Sequence, residues 1–291
     1  MRPLISIVIT NYNYANFIGE AIRSAIDQDY FNKEIIVVDD GSTDNSIEVI
    51  GRYIDHIGLI QQKNGGVSSA RNAGVAKSIG EYVAFLDADD YWMTTKISEQ
   101  YESLVNSEAD LSYCKMQIVK PDGSYTLSEE CRQGNFEKMF PSFPGQTPFP
   151  PSSVLVARNL ITSVGDWDTE LLNSAEDFDY FRRCSLKSKF VFVDNILVVH
   201  REHSKSLTSG PVGKYFKYNL SAMVKMYADS NVKVSYFAKR LGTFRFYLSL
   251  AKTYFKKLDV FKGLVMLMLT ILPMNSGKIV SRRFSKEESH K

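Results

Sequence analysis

The sequence predicts an α/β fold: a mixed, mainly parallel sheet with a helical C-terminal extension. Three observations carry the prediction. Strand-like and helix-like segments alternate over about the first 90 residues. The strand-like ones are unbroken apolar runs rich in β-branched residues, the pattern of strands covered on both faces. From about Tyr215 to the end the pattern is helical.

The elements follow in order. Leu4 to Thr10 reads as a buried strand, broken at Asn11 to Tyr14. Asn16 can cap a helix whose apolar positions Phe17, Ala21, Ile22, Ala25 and Ile26 recur at helical spacing. Glu34 to Val38 is a second buried strand closed by Asp39-Asp40-Gly41-Ser42, and a helix runs through Ile47, Val49 and Ile50. Leu59-Ile60 is a short strand, Val67 to Ile79 a helix, and Tyr82 to Leu86 a strand ending in Asp87-Ala88-Asp89-Asp90. Residues 110–205 are less regular, with a loop-rich stretch at Pro141, Pro144, Pro148, Pro150 and Pro151, then a helix from Glu176 to Leu186 and a strand from Phe190 to Val199. The expected division is 1–210, with a binding half at 1–95 and a second half at 96–210, followed by the helical extension 211–291.

Composition excludes some classes. With 44% hydrophobic and 23% charged residues, long disorder and fibrous repeats are ruled out. The net charge of +2 names no partner, but its distribution is uneven: from Val232 onward there are 13 basic and 3 acidic residues, leaving 22 basic and 30 acidic before it. Cys114, Cys131 and Cys184 are too scattered for a disulfide framework or a zinc site, which suits a reducing compartment. The opening residues carry no signal-peptide pattern, so a cytoplasmic chain is expected. Gly263 to Gly277 is uncharged and apolar but, at about 22 Å as a helix, too short to span a bilayer.

Ligands in such sheets sit beyond the carboxyl ends of the strands. Three strand ends here carry Asn11-Tyr12, Asp39-Asp40, and Asp87, Asp89 and Asp90. Alternate carboxylates on a strand-end loop can converge on a hard divalent cation; a solvated turn explains the same residues about as well. An acid after the second strand can accept hydrogen bonds from ribose or base, while Ser42 or Asp44 can simply cap the next helix. The phosphate-binding GxGxxG pattern is absent after the first strand, which disfavours a dinucleotide oxidoreductase. Asn64-Gly65-Gly66 before a helix start allows close backbone approach and favours an anion. Arg71 can reach a diphosphate or pair with the carboxylates, or be an ordinary surface arginine. Glu176 and Asp177 open a predicted helix, where acids stabilise the helix dipole or one serves as general base. His200-Arg201-Glu202-His203 follows a strand and can offer a metal ligand, although such histidines are more often structural.

Together these segments resemble the inverting family 2 glycosyltransferases of GT-A fold. The motifs, in the family's order, are ISIVITNYN (5–13), EIIVVDDGSTD (34–44), NGGVSSARNAG (64–74), GEYVAFLDADDYW (80–92), the acid pair Glu176-Asp177 and HREHSKS (200–206). The resemblance implies a Rossmann-like nucleotide-binding half and a nucleotide-sugar donor, most often a UDP-sugar. It assigns Thr10 and Tyr12 to the base, Tyr12 by stacking, and Asp39 and Asp40 to base or ribose. Arg71 falls near base or diphosphate, Asp87 faces the ribose with Ala88 beside it, and Asp89, with His203, binds Mn²⁺ or Mg²⁺. Asp177 matches the catalytic base; Glu176, Asp90 and Arg201 are acceptor-side or supporting residues. The acceptor expected is a glycan or a lipid-linked sugar in cell-surface polysaccharide synthesis.

The tail adds a membrane surface to the expected partners. Phe244, Leu248, Ala251, Phe255 and Leu258 fall at helical spacing, with Arg245, Lys252, Lys256 and Lys257 largely off that stripe. Leu264 to Leu272 is apolar, and Lys278, Arg282, Arg283 and Lys286 follow. Such a segment suits an anionic membrane face, or a helix packed on the core with a solvated basic side. Interleaved apolar anchors argue against nucleic acid as the partner. Two other classes compete: a catalytically inactive nucleotide-sugar-binding scaffold, which the intact acids disfavour, and a nucleotidyltransferase, which needs a Gly-rich basic loop after the first strand that ITNYNYANF lacks.

Overall fold

The computed structural model describes residues 2–128, 149–171, 175–203, 212–229, 236–256 and 260–271. These fall into two compact units. The first holds 2–128, 149–170 and 183–203; the second holds residue 171, 175–182 and the described residues from 212 onward.

One sheet organises the first unit. Strands β1 (Ile5–Asn11), β2 (Lys33–Asp39), β3 (Gly58–Gln61) and β4 (Tyr82–Asp87) run parallel in the order β3-β2-β1-β4. The order continues through β8 (Val154–Ala157), β6 (Leu111–Val119), β9 (Phe190–Arg201) and β5 (Tyr91–Trp92), with β7 (Tyr125–Leu127) paired to β6. β8 is antiparallel to both β4 and β6, and β9 is parallel to β6. Strand β9 therefore ends at the same sheet edge as β1, β2 and β4. In register terms, Asn11 lies beside Asp39 and Thr10 beside Asp87. The topology thus gathers four strand ends that are far apart in sequence.

Helices cover the sheet as the apolar spacing predicts. α1 (Ile18–Ile26) buries Ile18, Ala21, Ile22 and Ala25, the i, i+3, i+4, i+7 face. Asn16 does not cap it: the N-cap is Phe17, without a side-chain cap bond. After the short α2 (Ser46–Gly51) comes α3 (Val67–Lys77), which lies on β1 and β2 through Gly74, where a Cβ would meet Val8 Cγ1 at 2.3 Å. α4 (Lys96–Val105) was not anticipated, because two of its buried positions are polar: Lys96 and Gln100. Lys96 Nζ donates to Gln100 Oε1 at 2.6 Å and lies 4.0 Å from the Trp92 ring. Full burial lowers its pKa to about 8. The less regular stretch resolves into β6 to β8, a short helical turn at Pro151–Ser153 and α5 (Arg158–Val164); Cys131, Pro141, Pro144 and Pro148 lie outside the described residues.

In the second unit α6 (Ala175–Ser185), whose last three residues belong to the first, precedes α7 (Val212–Ala228), α8 (Tyr236–Lys256) and α9 (Val260–Ile271). The buried face of α8 is Phe246, Tyr247, Leu250, Ala251 and Tyr254, so the expected stripe is rotated. Ala251 is buried, Phe244 is exposed, and Leu248 and Phe255 are half-buried. α9 packs on α8 at Gly263, where a Cβ would meet the Phe255 ring at 2.5 Å. Leu258 and residues 272–291, with Lys278, Arg282, Arg283 and Lys286, lie outside the described residues. Among the described residues no helix is long and apolar enough to cross a membrane.

Candidate active site

The ends of β1 and β2 are stitched together by short polar side chains. Asn11 Nδ2 donates to Asp39 Oδ2 at 2.7 Å and to Ser42 Oγ at 3.1 Å, while Asp39 Oδ1 accepts the Ser42 amide at 2.9 Å. Asn13, in the left-handed region at φ 59°, accepts the Thr43 and Asp44 amides on its Oδ1. Asp39 is therefore a buried bracket for the two loops. Tyr12, between these anchors, is 44% exposed, an aromatic residue open to solvent beside the strand ends.

Asp40 holds the Asn64-Gly65-Gly66 loop. Its carboxylate accepts Gln62 Nε2 at 2.6 Å, the Gly65 amide at 2.9 Å and the Gly66 amide at 2.8 Å. The anion expected at this glycine turn is thus Asp40 itself. Gly66, at φ 88°, and Gly41, where a Cβ would lie 2.8 Å from the Asn64 nitrogen, make the approach possible. Of the roughly four lone pairs on a carboxylate, three are engaged, leaving Asp40 one acceptor position.

The Asp-Ala-Asp-Asp turn follows β4. Asp87 Oδ1 accepts Arg71 Nη2 at 2.9 Å and Thr10 Oγ1 at 3.3 Å. Arg71 is buried, and its guanidinium lies 4.6 Å from the Trp167 ring. Asn72 fixes the Trp167 backbone from both sides, donating to its carbonyl at 3.0 Å and accepting its amide at 2.9 Å. So Arg71 is not a surface arginine; it neutralises Asp87 on an aromatic platform. Ala88 is fully buried in the core with its amide donated to the Thr10 carbonyl. It spaces Asp87 from Asp89.

The end of β9 and the residues just past it lie against this turn. His200 Nδ1 lies 2.9 Å from Asp90 Oδ1, and His203 Nε2 lies 3.1 Å from Asp89 Oδ2. Arg201 donates to the Asp89 carbonyl at 3.2 Å, pairs with Glu20 and lies 4.6 Å from the Tyr91 ring. It is a strut for the turn. Burial, then Asp90 and Asp87, push the Asp89 carboxyl up to about 7. Burial opposes charge on His200, but the attraction and hydrogen bond of Asp90 prevail and raise it to about 9. Burial and the same three acids, Asp89 foremost among them, also raise the Tyr14 phenol.

In the second unit Glu176 and Asp177 stand in the first turn of α6, both nearly buried. One turn further on, Arg182 binds Asp179 at 3.1 Å and Asp229 at 2.9 Å, tying α6 to the end of α7.

The model of the glycosyl transferase family 2 matches residues 6–161, more than half of the chain. An uncharacterised glycosyltransferase of Rickettsia prowazekii is 32% identical over 228 residues, 74% of this chain and 69% of that one. The chain is a family 2 glycosyltransferase. A UDP-Glc:α-D-GlcNAc-diphosphoundecaprenol β-1,3-glucosyltransferase of Escherichia coli, WfaP, is 41% identical over 120 residues, 40% of this chain and 47% of that one. Among solved structures, residues 1–349 of S. aureus TarS in complex with UDP-GlcNAc match at TM-score 0.66 and 16% identity, covering 91% of this chain and 90% of that one. The mannosyltransferase PcManGT of Pyrobaculum calidifontis, in complex with GDP-Man and Mn²⁺, matches at 0.63 and 15% identity over 98% and 81%. The glycosyltransferase thus has the expected GT-A fold, a mixed and mainly parallel sheet with C-terminal helices.

The residues of this glycosyltransferase fit a divalent ion at the Asp-Ala-Asp-Asp turn. Asp89 is crowded by two other acids, and the buried Asp90 Oδ2 has no hydrogen-bond partner among the described residues. A carboxylate with an imidazole is a donor set for Mn²⁺ or, less closely, Mg²⁺. Among the described residues no three His, Cys, Asp or Glu side chains converge, so diphosphate oxygens and water would complete the shell. Tyr14, Phe17, Glu20 and Trp167 are site residues that sequence reasoning missed. A signal existed for three of them: Tyr14, Phe17 and Glu20 recur every third residue at the entry to α1.

Proposed function

We propose that this glycosyltransferase moves a sugar from a UDP-sugar to a glycan or lipid-linked acceptor, with inversion, in cell-surface polysaccharide synthesis. The observation that carries the reading is the gathering of Thr10, Asp40, Arg71, Asp87 and Asp89 at one sheet edge. The WfaP and TarS likenesses support a UDP-sugar, and WfaP supports a lipid-diphosphate acceptor; PcManGT keeps GDP-sugars among the donors to test.

Each residue has a task in this reading. Tyr12 offers its exposed face to the base, and Asp40 its remaining acceptor position. Asp87, its charge balanced by Arg71, accepts from a ribose hydroxyl. Asp89 and His203 hold the ion, Mn²⁺ or Mg²⁺, which when bound supplies Lewis-acid stabilisation of the leaving diphosphate. Asp177 takes the acceptor proton as the acceptor oxygen bonds to the anomeric carbon and the bond to the diphosphate breaks. Attack opposite the leaving group turns an α-linked donor into a β-linked product. Glu176 supports Asp177.

The C-terminal helices supply the membrane side of the proposal. α8 and α9 contain six basic residues and no acidic one, with Leu264 and Met268 exposed at 52% and 63%. That favours peripheral docking on an anionic, cytoplasmic membrane face. The test is transfer from a panel of nucleotide sugars to a polyprenyl-diphosphate sugar, with the product anomer read by NMR. A β-linked product supports the mechanism; an α-linked product from an α-linked donor overturns it.

A further inference from the structure

We propose that Tyr14 and Phe17 are positioning residues for the ion site, holding the His203 imidazole so that its Nε2 faces Asp89. The proposal rests on the reading of Asp89 and His203 as the ion-binding pair. His203 lies two residues past the end of β9, so the strand ladder does not set its ring. Its neighbours do. The Phe17 ring is stacked on the imidazole at 4.8 Å and 17°, and the Tyr14 ring meets it edge-on at 5.5 Å and 76°.

The local sequence explains why these two residues present themselves together. The Phe17 and Ile18 amides both bond to the Tyr14 carbonyl at 2.9 Å, closing a turn that puts positions 14 and 17 on one side. Glu20, three further on, takes Arg201, so the same ridge also grips the last residue of β9. The Arg201 guanidinium lies 5.4 Å from the Phe17 ring as well. The entry to α1 therefore orients this ligand, the role that outer groups play at metal sites.

The experiment is titration of the full chain with Mn²⁺ alone, free ion read by electron paramagnetic resonance, with thermal unfolding recorded for each variant. Phe17→Leu is expected to weaken Mn²⁺ binding about tenfold, the lower end of outer-group effects at metal sites. Phe17→Tyr, which keeps the stack, retains the affinity. Phe17→Met, which keeps bulk without a ring, repeats the loss and serves if the leucine variant does not fold. His203→Ala weakens binding similarly, and the His203→Ala/Phe17→Leu double variant is no weaker than His203→Ala. Wild-type affinity in Phe17→Leu and Phe17→Met beside a weakened His203→Ala overturns the clamp alone. Wild-type affinity in His203→Ala overturns the clamp together with the ion reading beneath it.

Discussion

Asp89 carries two opposing environments in one side chain. Burial and two neighbouring acids resist its charge, while His203 at 3.1 Å is placed to receive it. A proton and a cation then compete for the same carboxylate. With its pKa raised to about 7, Asp89 is increasingly protonated as pH falls through that value. Mn²⁺ affinity should drop about tenfold between pH 8 and pH 6, as one competing proton requires, and the titration repeated at both pH values checks it. Asp89→Asn should remove both the affinity and its pH dependence. For Asp177 the expected variant is Asp177→Asn. It should keep nucleotide binding by calorimetry and lose about 10²–10⁴-fold in turnover, the contribution of a general base; unchanged turnover would take Asp177 out of that role.

At the level of elements, the turn after β2 and the start of α3 form one unit through Asp40. Removing its carboxylate in Asp40→Ala leaves the Gly65 and Gly66 amides without their acceptor. Gly65 is exposed and Gly66 half-buried, so water can replace the carboxylate, and at about 0.5–1.5 kcal/mol per hydrogen bond the expected loss is about 1–3 kcal/mol in a denaturant titration. Gly74→Ala tests the contact of α3 with β1: its Cβ would lie 2.3 Å from Val8 Cγ1, an overpacking worth about 1–3 kcal/mol by the same titration. These elements were readable because their apolar runs are continuous and their glycines fall at strand ends. α4 was not, since Lys96 and Gln100 satisfy each other in the core and break the apolar period. β6 and β8 escaped for another reason. Each is paired by strands distant in sequence, and no local period announces which partner covers a four-residue run such as Val154–Ala157. Within the site, the acids were legible by motif, but the aromatic supports Trp167, Tyr14 and Phe17 were not. Their roles depend on where the chain returns rather than on their own neighbours in sequence.

At the scale of the whole molecule, stability should depend on pH in a direction the site itself sets. His200, raised to about 9 from 6.5, contributes stability fully below pH 6.5 that is lost as pH rises through 9. Asp89 acts in the same sense at lower pH. The folded chain keeps a proton that the unfolded chain releases above about 4, so stability falls between there and about 7. The unfolding midpoint should therefore decline from pH 6 to pH 9, and Asp90→Asn should flatten the part above 6.5. A midpoint that rises over this range contradicts the pairing of His200 with Asp90. The basic C-terminal helices predict that the full chain co-sediments with anionic vesicles and not with zwitterionic ones, and that about 0.5 M salt weakens the association by screening. Equal recovery with both vesicle types would contradict membrane docking through charge. The central claim, a nucleotide-sugar site completed by a cation at Asp89, is tested most directly by the thermal shift of the full chain with UDP and GDP sugars, with and without Mn²⁺. The account predicts stabilisation by one nucleotide class only when Mn²⁺ is present, abolished in Asp89→Asn. Equal stabilisation without the metal, or in Asp89→Asn, would contradict it.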